Sequence, residues 1–355
     1  MSAHLDQAGP VRRGEELPAE PLRAWLGEAL CAPVARLEVE QFPGGYSNLT
    51  YLVRADGREL VLRRPPFGSK VKRAHDMRRE HRILSSLAPL VPWAPRPIAF
   101  SDDASVMGAD FYVMERIRGV VLRRSVPPGL VLDEAAAGRL ASSLVATLAE
   151  LHGVDWRAAT LGEIGRPEGY VRRQVSGWAE RWANARTSTL PEMDAVGDWL
   201  ARRLPPESAP ALIHNDFKFD NVVYDSVRFE RIVGVLDWEM ATIGDPLADL
   251  GTSLAYWVDP EDDAVLQALS FGPTALPGMP RRAAVAEMYA RATGRDLGAI
   301  VFHYVLGLYK TAVVLQQIYA RWKQGLTQDP RFAALDLGVA ALARRAAQAI
   351  ERDCL

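Results

Sequence analysis

ALIHNDFKFDNVVYDSVRFERIVGVLDWEMATIGDPLADLG, residues 211–251, is the stretch whose reading decides the fold. His214, Asp216, Lys218 and Asn221 fall within eight positions, and Asp237 follows sixteen residues later. Apolar, β-branched runs flank the cluster: Ala211-Leu212-Ile213 before it, Val222-Val223-Tyr224 after it, and Ile232 to Leu236 ahead of Asp237. That pattern predicts strand, loop, strand, turn, strand, with the polar residues at strand ends. A carboxylate, an ammonium and an amide side by side would each need a partner if they served packing alone. A site for a divalent metal and phosphate is the economical explanation.

With 355 residues the chain is long enough for two lobes, each with its own core. A formal net charge of −2 argues against nucleic-acid binding through a bulk basic surface. Cys31 and Cys354, the two cysteines, lie near opposite ends and form no metal-ligand pattern, which fits a reduced cytoplasm. No apolar segment of signal-peptide length opens the sequence, and residues 1–17 read as polar and mobile. The longest apolar run, Leu297 to Leu315, is broken by His303 and Lys310, so a buried helix is expected rather than a membrane span.

Upstream, Pro18 to Leu30 carries the spacing of a short amphipathic helix. Strands are expected at Leu37–Phe42, Thr50–Arg54 and Glu59–Arg63, the last two joined by the hairpin turn Asp56-Gly57. A helix over Lys72–Leu87, with Met77, Ile83, Leu84 and Leu87 inward, precedes two more strands near Ile98 and at Phe111–Glu115. Gly119 is read as a change of direction. Downstream the pattern is mostly helical. Asp133 caps a helix with Ala136, Leu140, Leu144 and Leu148 at spacing four. Further helices are expected near 168–185, 191–203, 246–257, 281–292, 297–323 and 333–350. The expected class is α+β: an N-terminal lobe of antiparallel sheet plus one main helix (residues 1–116) and a mostly helical C-terminal lobe (residues 117–355).

Phosphoryl transfer needs a cradle for nucleotide phosphates, a cation on them, metal ligands, and a group that orients the acceptor hydroxyl. The chain supplies each in that order. Asp237 and Asn221 offer the hard oxygens that suit Mg²⁺. Asp216 is then free to take a proton from the acceptor hydroxyl, and Lys218 places positive charge near the transferring group. His214-Asn215-Asp216-Phe217-Lys218-Phe219-Asp220-Asn221 resembles the catalytic loop of the protein-kinase-like superfamily, and LDWEMATIGDPLADLG is similar to the metal-binding segment of the aminoglycoside phosphotransferase family. GGYSNLTY, VLRRPP, FYVMERIRG and LDWE look most like the branch that includes the kinase-like domain of animal acyl-CoA dehydrogenase family proteins.

The resemblance implies a two-lobed protein-kinase-like fold that uses ATP and Mg²⁺. It makes Gly44, Gly45, Tyr46, Ser47 and Asn48 the phosphate-covering loop. Arg63 falls where the family usually has the lysine that holds the α- and β-phosphates, with Arg64 as the register one residue away. Glu80 takes the place of that cation's carboxylate partner, and Glu115 that of the interlobe hinge. For three further residues structural roles are expected first: His214 bracing the loop, Asp249 tying it from beneath, and Asp245 capping a helix.

The expected activity is phosphorylation of a small-molecule hydroxyl, a hydroxyacyl thioester or hydroxy acid among the candidates. The alternatives are an aminoglycoside phosphotransferase and a pseudokinase that binds nucleotide without turnover. Only seven residues separate Asp237 from Asp245, too few for the docking segment of a protein kinase. An acidic cleft for aminoglycosides would draw on Asp259, Glu261, Asp262 and Asp263. An anionic acceptor would draw on Tyr309, Lys310, Gln316, Gln317, Tyr319 and Arg321 of the long helix.

Overall fold

Asp56 and Gly57 both adopt positive φ (48° and 85°), the requirement of a two-residue type I′ turn, and the strands around them pair in register. The computed structural model describes residues 5–43, 48–67, 76–124, 126–127, 129–327 and 329–355. Within these, α1 (Ala19–Ala29) leads into β1 (Leu37–Gln41), β2 (Leu49–Ala55) and β3 (Arg58–Arg64). After α2 (Met77–Leu87) come β4 (Pro97–Ser101), the short α3 (Ala104–Met107) and β5 (Phe111–Glu115). The five strands form one antiparallel sheet in the order β1-β2-β3-β5-β4.

Strand alternation gives this sheet two distinct faces. Leu60 and Leu62 of β3 join Tyr51, Val53, Phe111 and Val113 in a core closed by Leu22 and Leu26 of α1. Val61, Tyr112 and Met114 face the other way, into a larger core shared with α2 and the helices that follow. Arg63 therefore points toward the inner face and Arg64 toward the outer. Asp76 caps α2 by accepting from Arg79 N at 2.9 Å, and the helix buries Met77, Glu80, Ile83, Leu84 and Leu87. The expected residues 72–75 of that helix lie outside the described residues.

The rest of the chain is mostly helical: α4 (Glu134–His152), α5 (Tyr170–Ala185) and α6 (Pro191–Arg202), then β6 (Ala211–Ile213), β7 (Val222–Tyr224), β8 (Ile232–Val235) and β9 (Thr242–Gly244). The helices α7 (Pro246–Tyr256), α8 (Ala264–Ala268), α9 (Arg282–Thr293), α10 (Ile300–Lys323) and α11 (Leu335–Arg352) complete it. The predicted strand pattern over 211–236 is observed, with β9 as an addition: it pairs with β6, Leu212 opposite Ile243, while β7 pairs with β8. The two small sheets thus hold both ends of the 214–221 loop and of the turn around Asp237.

Helices α7 and α10 cross at close range because glycines meet there. A Cβ on Gly251 would lie 2.3 Å from the carbonyl oxygen of His303, and one on Gly307 would lie 2.4 Å from that of Gly251. That crossing brings Lys310 of α10 beneath the 214–221 loop.

One expectation needs correction, one gains a second reason, and two short helices are additions. Gly119 lies at a bend, as expected, and it also serves close approach, since a Cβ there would sit 2.3 Å from Tyr224 O, where Val120 bridges to Tyr224. Residues 5–17 are tied down rather than mobile: Gly9 pairs with Gln41 of β1, and Tyr51 OH donates to Glu15 O at 2.8 Å. Helices α3 and α8, each five residues or fewer, carry too little periodicity to read. No helix among the described residues is long and apolar enough to cross a membrane.

Candidate active site

The 214–221 loop hangs from one buried carboxylate. Asp249, in the first turn of α7, accepts the backbone N–H of His214 at 2.6 Å and of Asn215 at 2.7 Å, and meets His152 Nε2 at 3.1 Å. Burial opposes its charge, but the His152 bond and the neighbouring donors hold its carboxyl below the ordinary range. His152 closes the chain of contacts through Tyr289 OH at 2.6 Å. His214 braces the same loop from within: Nε2 faces Leu236 O at 2.9 Å, and Nδ1 accepts from Asp216 N at 3.2 Å. These partners assign the Nε2–H tautomer. Asn215 turns through a positive φ of 65° and accepts Lys310 Nζ on its carbonyl at 2.5 Å. The supporting roles expected of His214, Asp249 and Asp245 match these contacts, Asp245 capping α7 through Leu247 N at 2.8 Å.

On this frame Asp216 meets Lys218 Nζ at 2.9 and 2.8 Å, one contact to each carboxylate oxygen. Asn221 Nδ2 donates to its Oδ2 at 2.8 Å and Tyr256 OH to its Oδ1 at 2.7 Å. Burial alone would raise the Asp216 pKa; Lys218, Tyr256 and Lys310 outweigh it and keep the carboxyl below its usual value. Asp216 is therefore ionised at neutral pH and able to accept a proton.

Asp237 stands opposite, fixed at φ 66° and ψ 63° at the end of the β8 segment. Arg63 spans the gap between the sheet and this turn. It reaches Glu80 Oε1 at 3.0 Å and Asp237 Oδ1 at 2.9 Å with different nitrogens of one fork. Burial would strip its charge, but the two carboxylates raise its pKa well above normal, so the arginine stays cationic. Glu80, 1% exposed, also accepts Trp238 N at 3.2 Å; burial pushes its carboxyl up and Arg63 pulls it back. Arg64 is excluded from the site: its Nε donates to Pro65 O, and its guanidinium covers Phe67.

These groups border a cavity of about 180 Å³ between sheet and helices, lined by Arg63, Asn221 and Asp237 at one end and Met114 and Glu115 at the other. The N–H of Glu115 is already spent on Arg96 O at 2.8 Å, which narrows its expected hinge role. Asn48, the last residue of the expected phosphate loop, donates its side-chain amide to Glu239 at 2.6 Å, linking that loop's end to the turn after Asp237. Gly44, Gly45, Tyr46 and Ser47 lie outside the described residues.

Not every expected residue converges. Of the α10 set, Lys310 reaches the loop. Tyr309 is buried with its hydroxyl against Gly197, and Gln316 donates to Ala185 O and Thr187 Oγ1. The acidic run is taken up by arginines: Arg282 pairs with Asp259 and Asp262, Arg281 with Glu261, and Arg344 with Asp263.

Three participants escaped the sequence reading, each with a signal. His152 continues the Leu140, Leu144, Leu148 stripe by one more step of four. Tyr256 lies seven residues, two helical turns, after Asp249 on α7. Arg79 follows the capping Asp76 by three residues, and its guanidinium donates to Glu239 O and Ile164 O at 3.0 Å and also to Ala241 O. That grip seats α2 on the turn after Asp237.

Residues 38–285 match the family described as the phosphotransferase enzyme family. Among curated proteins, acyl-CoA dehydrogenase family member 10 of Mus musculus is 32% identical over 315 residues, covering 88% of this chain and 29% of that protein. Member 11 of Gallus gallus is 34% identical over 297 residues, covering 82% and 38%. The chain thus spans less than two-fifths of the length of these relatives. A solved structure from Ralstonia eutropha, described as a candidate aminoglycoside phosphotransferase, is 27% identical with a TM-score of 0.79 and covers 95% of this chain and 99% of its own. Fold, motif order and sequence agree with the expected kinase-like architecture, and the chain belongs to the phosphotransferase enzyme family.

Proposed function

We propose that the chain transfers the γ-phosphoryl group of ATP, with Mg²⁺, to a hydroxyl of a small molecule. One observation carries this reading: Arg63, Asn221 and Asp237 line one cleft, and Asn221 bonds directly to the ionised Asp216 that Lys218 also holds. The donor set fits Mg²⁺, which takes one or two protein oxygens and fills its other positions with phosphate and water. Asp237 and Asn221 would hold it, and Asp237 is suited by its fixed backbone and one-third exposed side chain. When bound, the cation would neutralise phosphate charge as it develops.

The chain's own residues do the rest. Arg63 offers its fork to the nucleotide phosphates while Glu80 keeps it in place. Asp216 orients the acceptor hydroxyl and takes its proton, and Lys218 lowers the cost of negative charge at the transferring group. Arginine at position 63, where the family usually has lysine, is the motive for a pseudokinase alternative. The Arg63–Glu80 pair at 3.0 Å weakens that motive, because the substitution keeps the cation-to-carboxylate contact.

For the acceptor, we favour a hydroxyacyl thioester or hydroxy acid, on the similarity to the acyl-CoA dehydrogenase family members. The α10 face lends less support than its sequence promised. An aminoglycoside, a polycation, is disfavoured because the acidic run is already paired with arginines. The test is a panel of hydroxylated metabolites, hydroxyacyl-CoAs and kanamycin-type antibiotics included, assayed for ATP-dependent mass gain. Phosphorylated hydroxyacyl products are expected. Efficient turnover of the antibiotics with none of the hydroxyacyl-CoAs would sink the acceptor assignment, and nucleotide binding without any turnover would favour the pseudokinase.

A further inference from the structure

Asp216 has no acceptor site to spare. Oδ1 takes Lys218 Nζ and Tyr256 OH, and Oδ2 takes Lys218 Nζ and Asn221 Nδ2, all within 2.7–2.9 Å. An ionised carboxylate offers about four lone-pair sites, and four contacts fill them. An incoming hydroxyl can reach this base only if a present donor leaves.

The three donors are not equally free to go. Lys218 carries a charge, touches both carboxylate oxygens, and sits 4.8 Å and 5.4 Å above the rings of Tyr256 and Phe271. Asn221 Nδ2 is held a second time by the main-chain oxygen of Asp216 at 2.8 Å. Tyr256 is neutral, part-exposed and the last residue of α7, and its hydroxyl also meets the Thr311 side chain, a neutral partner that can stay with it when it leaves Asp216. Its ring rests edge-on against Phe271, with centroids 4.8 Å apart. Exchanging its hydroxyl for another preserves both the charge and the hydrogen-bond count at Asp216. Exchange at Lys218 would change the charge and vacate both carboxylate oxygens, and exchange at Asn221 would also give up its bond to the Asp216 main chain.

We infer that Tyr256 is a placeholder: its hydroxyl occupies on Asp216 Oδ1 the position that the acceptor hydroxyl takes, and the acceptor enters by displacing it. This rests on the phosphotransferase reading and deepens it. Until an acceptor arrives, the phenol keeps water from the same place, so the γ-phosphoryl group is not lost to solvent. Tyr256 is thus a positioning residue that couples turnover to acceptor binding.

Tyr256→Phe isolates the effect, because the ring stays beneath Lys218 and against Phe271 and only the hydroxyl goes. In the variant, water can take the vacated place. Its oxygen bonds to the γ-phosphorus, its proton passes to Asp216, and the bond to the β-phosphate bridging oxygen breaks to give ADP and phosphate. Acceptor-independent ADP release is expected to rise about tenfold, the scale of one lost hydrogen bond. Mg²⁺-ATP affinity, measured by calorimetry on the same samples, should stay within about twofold. Hydrolysis that rises while nucleotide affinity holds is a change that a mere packing role for the hydroxyl would not produce. If ATP binds and hydrolysis is unchanged or slower, the placeholder is overturned and the phosphotransferase reading stands. If wild type does not bind Mg²⁺-ATP at all, both fall together.

Discussion

The two halves of the cleft are built by different means. Around Asp216, Lys218 and Asn221 lie two and five residues along the chain, so a single loop folds its own charges together. Around Arg63, the partners Glu80 and Asp237 lie 17 and 174 residues away and are brought in by α2 and by the turn after β8. The first arrangement is set by local sequence, the second by how the sheet seats on the helices. Polar residues can thus share one site while depending on very different parts of the fold.

The comparison breaks most visibly at Asp249, because the local loop has a non-local anchor. Asp249→Asn should cost about 3 kcal/mol of stability, the scale for removing one partner from a buried charged network. Denaturant unfolding reads this directly. A midpoint equal to wild type would mean the loop holds its shape unaided.

The opposite half is sharpened by paired substitutions at the two arginines. Arg63→Lys replaces a fork that spans two carboxylates with a point charge, and nucleotide affinity should fall about tenfold. Arg64→Lys, on the other face of the same strand, should leave affinity within about twofold. Equal losses would remove the distinction of face.

A pH-dependent effect reaches the 214–221 loop from below. Lys310 is buried under the loop, and burial lowers its pKa from 10.5 to about 8. The unfolded chain therefore binds the extra proton between those values, and the wild type should gain stability as pH rises from about 8 to 10.5. Below pH 8 that contribution is constant. Unfolding of wild type and Lys310→Met across this range should diverge with that sign; parallel curves would contradict the burial of a charged-when-free lysine.

The same division explains what the sequence disclosed. The 214–221 loop and Asp237 were legible because their polar residues are dense in a short stretch with strand signals on both sides. Choosing Arg63 over Arg64 required knowing which sheet face met the helices, which alternation alone does not tell. Glu80 carried a usable clue: it falls within the buried stripe of α2 beside Met77 and Leu84, an unexpected place for a surface carboxylate. Helix α10 misled for the converse reason. It is buried on nearly all sides, so no face of Tyr309, Gln316 and their neighbours stands out as facing a cleft. Tyr256 and His152 were hidden because their partners lie on elements 40 and 97 residues distant.

The central claim divides the labour between Asp216 as proton acceptor and Asp237 as metal ligand. Calorimetric titration of ATP into wild type, Asp216→Ala and Asp237→Ala, each with and without Mg²⁺ and each followed by a turnover assay, tests it most directly. Asp216→Ala should retain Mg²⁺-dependent ATP binding and lose turnover, whereas Asp237→Ala should lose the Mg²⁺-dependent part of binding itself. Equal loss of binding in both variants would contradict the assignment.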